Sequence, residues 1–205
     1  MKVVRSTNAP YRLAVTIALF ISGLAFVNAQ TGEAIKSEPQ KPAVASQPPI
    51  YWQVKAFRPQ ASLMNIKAID KKGDMHDVKA IQSSDDTSIL DVKALVNGEQ
   101  LPIKLIVKKD DRYYPVKAID NDGYLINIKA VTENGDILDV KGVSRSGNIV
   151  HLRAIDKHLV AYTIIAVSPE GKVNDIKGIK MLDTEVETVI NGVQVFAHVK
   201  SLAQQ

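Results

Sequence analysis

The 205-residue chain contains no cysteine, which excludes thiol catalysis, thiolate metal sites and a disulfide framework. Its four histidines, His76, His151, His158 and His198, stand far apart and match no metal-ligand spacing. Aromatic residues make up only 5% of the chain, too few for the girdles of an outer-membrane barrel. There is no glycine-rich phosphate loop and no nucleophile-elbow serine. The acidic run Asp120-Asn121-Asp122-Gly123 lacks the further ligands of an EF-hand and reads as turn chemistry. These absences predict a protein that is not an enzyme and that uses no cofactor and no metal.

Charge of one sign is also scarce. The formal net charge is +4, but three cations, Lys2, Arg5 and Arg12, lie in the first 29 residues. Without them 23 cations face 22 anions, so net charge predicts no nucleic-acid partner. That first segment has a basic start, an uncharged apolar run from Leu13 to Val27 and the small-residue ending Val27-Asn28-Ala29. This is the layout of a cleaved secretory signal over residues 1–29, and the apolar run is short of the ~20 residues of a membrane span. The expected location is periplasmic or extracellular, with no transmembrane span after cleavage. Residues 30–50, rich in Pro, Gln and Ser, predict a flexible linker.

What the chain has in abundance is self-similarity, from Tyr51 onward. The unit Val/Ile-Lys-Ala/Gly-apolar begins as Val54-Lys55-Ala56-Phe57 and Ile66-Lys67-Ala68-Ile69 and recurs through Ile176-Lys177-Gly178-Ile179. Successive lysine-equivalent positions are 12, 12, 14, 11, 13, 12, 12, 12, 12 and 12 residues apart. Glycine-terminated turn signals separate the units, with Gly73, Gly123, Gly135, Gly147 and Gly171 in the terminal position. Such turns suit a three-residue hairpin loop with a left-handed glycine. The pattern predicts an all-β fold over residues 51–203: an antiparallel meander of about twelve short strands from ~12-residue repeats, closed or folded as a barrel or sandwich. In alternating short strands with such turns the repeats resemble hairpin-repeat meanders such as the MORN family. The likeness is one of architecture, and the aromatic-glycine signature of those repeats is absent.

The three-residue loops predict a register that sets Lys67 opposite Asp77 and Lys129 opposite Asp139, then Asp139 opposite Arg153 and Lys141 opposite His151. Lys67, Asp77, Lys129, Asp139, Lys141 and Arg153 would then form a structural charge ladder on one face. The other face, of Val, Ile and Ala, is expected to be the core, with the repeated Ala or Gly making room for larger partners. Because these side chains are small, a round closed sheet is expected to leave an unfilled interior that holds a small apolar ligand, or else to flatten. Among the few aromatics, Tyr51 and Trp52 are the candidate contacts for a glycan. The leading expectation is an exported binding module with a protein or glycan partner; a carrier of an apolar ligand comes next, and a hydrolase last.

Overall fold

The computed structural model describes residues 48–108 and 113–204. The predicted signal and most of the linker lie outside the described residues. The strands are β1 (Ile50–Phe57), β2 (Met64–Ile69), β3 (Met75–Gln82), β4 (Ile89–Val96), β5 (Glu99–Ile106), β6 (Tyr114–Ile119) and β7 (Leu125–Val131). They continue as β8 (Ile137–Ser146), β9 (Ile149–Ile155), β10 (Ala161–Val167), β11 (Val173–Ile179), β12 (Thr188–Ile190) and β13 (Val193–Ala203). All are antiparallel and belong to one sheet. Consecutive strands pair from β1 through β11, so the fold is a meander, but it closes in an unusual way.

Every strand except β12 and the mixed-partner β13 pairs with three others; β13 adds β12 to its own three. One edge of each strand runs along a single partner, which makes six two-stranded ribbons: β1–β10, β2–β7, β3–β4, β5–β6, β8–β9 and β11–β13. The other edge is divided between two strands. Its halves close four mutually paired triplets: β1–β2–β3, β4–β5–β13, β6–β7–β8 and β9–β10–β11. Each pair of triplets is joined by one ribbon, so the pairing scheme is that of a truncated tetrahedron. It has four three-stranded corners and four mouths, each ringed by strand ends and their connections.

The repeat explains this closure. Strand alternation turns the Val/Ile and Ala/Gly positions inward. Across the ribbons large faces small, as in Val54 opposite Ala166 and Ala56 opposite Ile164, or Ile66 opposite Ala130 and Ala68 opposite Ile128, with Leu105 opposite Val116 the exception. Twelve residues, one from each strand but β12 and ranging from Val54 to Val199, surround a central space of about 10 Å³. That is room for one water. The unfilled interior expected from the small side chains is absent, because the closure is round in every direction and brings all twelve to a common centre.

The turns follow local chemistry. Gly73, Gly123, Gly135 and Gly171 all have positive φ and donate to the residue three positions earlier, as the three-residue loop requires. Asn97-Gly98 and Asn191-Gly192 are two-residue turns with both residues at positive φ. The β8–β9 connection differs from expectation. Ser146 pairs with Ile149, so Gly147-Asn148 is a two-residue loop, and the register shifts between Gly142 and Ser144. The bulge slides the register, and Arg153 stands opposite Lys141, not Asp139.

After β11 the twelve-residue rhythm is broken by an insertion that forms β12. Lys180 is buried there; its Nζ donates to the Thr184 carbonyl, lies 3.8 Å from Glu187 Oε1 and sits 4.3 Å from the Phe196 ring centre. Glu187 in turn accepts from the backbone N–H groups of Met181 and Leu182.

Candidate functional site

The outer face of four of the six ribbons carries two repeat lysines directly opposite one another: Lys67 and Lys129, Lys79 and Lys93, Lys104 and Lys117, Lys177 and Lys200. Lys141 faces Arg153, and in the sixth ribbon Lys55 faces Ile165. The predicted ladder therefore has a different layout. Opposite charges meet at the corners and like charges face each other along the ribbons. Most of these lysines lean toward a corner, where they meet the residue two before the lysine of the next strand.

At the β1–β2–β3 corner this ring is complete. Lys55 donates to Asn65 (2.5 Å), Lys67 to Asp77 (2.6 Å) and Lys79 to Gln53 (2.8 Å). At the β6–β7–β8 corner Lys117 donates to Asn127 and Lys129 to Asp139, while Lys141 meets Asp139 of its own strand at 3.2 Å. Hydrogen bonding from Lys129, then from Lys141, holds the Asp139 carboxyl below its ordinary range. At the β4–β5–β13 corner Lys200 donates to Asp91, and Lys104 Nζ lies 2.9 Å from His198 Nδ1. Burial, with Lys93 and Lys200 close by, pushes Lys104 down to about 8. His151, expected beside Lys141, instead stands opposite Ser144 and Lys177.

The mouths differ in what fills them. Trp52, at the mouth where β1, β4 and β11 begin, is 1% exposed and donates from Nε1 to Gln82 Oε1 (2.9 Å). It is a core residue and offers no face to a glycan. Tyr51 is partly exposed, its hydroxyl accepting from Gln100 Nε2 at 3.3 Å. Tyr162 occupies the mouth at the starts of β2, β8 and β10, and Tyr114 stacks on Phe196 (4.1 Å between centroids) in that of β6, β9 and β13.

The fourth mouth, at the β2–β3, β4–β5 and β6–β7 turns, contains a depression of about 580 Å³. Its floor is Val96, Leu101 and Ile126, all buried. Its rim carries Asp70, Lys71, Lys72, Asn97, Glu99, Asp120 and Tyr124. His76, the second residue of β3, lies against Asp70 (Nε2 to Oδ2, 3.2 Å). Asp70 and Asp120 are fixed by backbone N–H groups of their own turns, and Asn121 donates to Glu99 (3.2 Å). Tyr124 is exposed, with Lys71 Nζ 3.6 Å over its ring centre. An apolar floor, converging hydrogen-bonding groups and a presented aromatic ring are the features of a small-ligand site.

Of the two aromatic residues singled out from the sequence, Trp52 is buried and Tyr51 stays partly exposed. Tyr124 directly follows the turn residue Gly123, a position that puts it on a mouth, but the sequence alone does not show that three distant turns share that mouth. Among the described residues no three His, Asp or Glu side chains gather as a metal site.

No curated protein and no solved structure matches the chain. A family model covers residues 48–202, the span of the closed sheet. The chain belongs to the family of unknown function DUF7486.

Proposed function

We propose that this is an exported, non-enzymatic binding module whose ligand, a glycan, seats in the mouth formed by the β2–β3, β4–β5 and β6–β7 turns. The observation that carries the reading is the 580 Å³ depression with its apolar floor and polar rim, at a mouth where Leu101 and Ile126 stand in place of the large aromatics that occupy the other three. A sugar ring offers an apolar face to Tyr124 and hydroxyls to Asn97, Glu99 and Lys72. The closed sheet makes the rim rigid, because every turn is anchored in strands that are paired on both edges. Export rests on the signal layout of residues 1–29.

The test uses protein recovered from the exporting host, whose mature chain should begin at Gln30. Calorimetric titration with a panel of neutral oligosaccharides should give saturable binding, and Tyr124→Ala should weaken it at least tenfold without lowering the urea midpoint. Equal affinity in Tyr124→Ala would remove the mouth from the binding surface. An amino terminus at Met1 would remove the export reading.

A further inference from the structure

We propose a second, independent site: the β6–β7–β8 corner binds a tetrahedral oxyanion, a phosphoryl or sulfate group borne by a larger ligand. The pseudo-equivalence of the four corners isolates what is special here. At the β1–β2–β3 corner Gln53 supplies the third acceptor, and the Lys79 side chain is 11% exposed. The equivalent of Gln53 at the β6–β7–β8 corner is Pro115, which stands opposite Lys141 and has no side-chain acceptor. Lys141 is 38% exposed, and the ring opens into a depression of about 250 Å³.

Three lysines, Lys117, Lys129 and Lys141, line that depression, with Asp139 the carboxylate between them among the described residues, and the Tyr113 ring centre 5.8 Å from Lys141 Nζ. The ammonium groups retain donor capacity beyond their single acceptors. Crowding is felt at Lys117, whose charged form is disfavoured by burial and then by Lys129. A dianionic group would relieve that repulsion while accepting from several donors at once. The β4–β5–β13 corner also has a proline, Pro102, opposite Lys93. There, however, Lys104 already contacts His198 Nδ1, and burial disfavours its charged form, pushing it down to about 8. The β9–β10–β11 corner has only Arg153 and Lys177, because Ile165 takes the third place.

Calorimetry of the full chain at low salt tests this with inorganic phosphate and sulfate, and with phosphatidylcholine vesicles with or without phosphatidic acid. Saturable binding of the free anions supports a soluble ester, and binding only to the acidic vesicles supports a lipid headgroup. In either arm Lys141→Gln should weaken binding about tenfold or more. Pro115→Gln, which removes no cation and supplies the missing acceptor, should weaken it as well. Lys79→Gln at the complete corner should leave it unchanged. The proposal is overturned by the absence of saturable binding in both arms, by unchanged affinity in Lys141→Gln, or by an equal loss in Lys79→Gln.

Discussion

At the scale of single residues, the departures from the repeat compensate one another. Leu105 holds a position that is Ala in most strands, and it faces Val116. Two of the repeats carry glycine at the same position, Gly142 and Gly178. A Cβ built on Gly142 would lie 2.7 Å from Leu105 Cδ2, and one on Gly178 would lie 3.0 Å from Leu105 Cδ1. One enlarged side chain is thus accommodated by two that are reduced. Gly142→Ala is expected to destabilise the protein by about 1–3 kcal/mol through overpacking. Leu105→Ala alone is expected to cost about 2–5 kcal/mol. Combining Leu105→Ala with Gly142→Ala and Gly178→Ala, which restores alanine at all three positions, should recover at least half of the summed loss in urea denaturation. Additive losses in that cycle would show that the three positions do not share one space. The sequence displays the three exceptions, but they are 37 and 36 residues apart; only the closure brings them together.

The elements differ in how much of their geometry is local. Hairpin turns are set by a few residues, so Gly73, Gly123, Gly135 and Gly171 were legible as turn positions. Their surroundings were not. Gly135 has φ +87° and open space where a Cβ would stand, whereas at Gly123, φ +82°, a Cβ would meet the Asn191 carbonyl oxygen at 2.3 Å. The β12–β13 turn also bonds to this loop, Asn191 Nδ2 donating to the Asp120 carbonyl at 2.6 Å. Gly135→Ala is expected to cost about 1 kcal/mol, the conformational term alone. Gly123→Ala should cost clearly more, and its thermal unfolding should show the difference; equal shifts would mean that the β12–β13 hairpin yields freely. The register of β8 against β9 was illegible for a related reason. Gly147 is a turn signal, yet whether it ends a three-residue loop or begins a two-residue one depends on the bulge at Val143, which packing decides.

For the whole molecule, the lysines and histidines set how stability follows pH. Burial, then neighbouring cations, lowers the affinity of His151 and His198 for protons in the folded state. The unfolded chain takes up those protons from about pH 6.5 downward, so stability falls as pH drops below that point. Asp77, Asp91 and Asp139 are held low chiefly by hydrogen bonds from Lys67, Lys200 and Lys129; their contribution is present above about pH 4 and lost as pH falls through their folded values. Lys104 titrates at about 8 when folded and near 10.4 when unfolded. Between those values the unfolded chain binds more protons, so stability rises with pH. The urea midpoint is expected to be lower at pH 5 than at pH 7 and higher at pH 9.5 than at pH 7. A midpoint that is flat or falling from pH 7 to 9.5 would contradict the burial of Lys104.

Sequence by itself determined the period, the strand type, the turns and the inward Val/Ile and Ala/Gly positions, because each follows from side-chain alternation and local backbone preference within about a dozen residues. It also fixed the charge contacts nearest the turns, Lys67 with Asp77 and Lys129 with Asp139, since a short loop dictates its first pairs. Tertiary structure decided everything that depends on a strand dividing one edge between two partners. The half of β7 beyond Lys129 leaves β8, so that Asn127 meets Lys117 of β6, and lysine comes to face lysine along the ribbons. A repeat with one spacing is compatible with many closures, and its local signals are the same in each of them. The choice is made where all twelve inner side chains must meet at one filled centre, and that choice also decides which mouth is open and which corner lacks an acceptor.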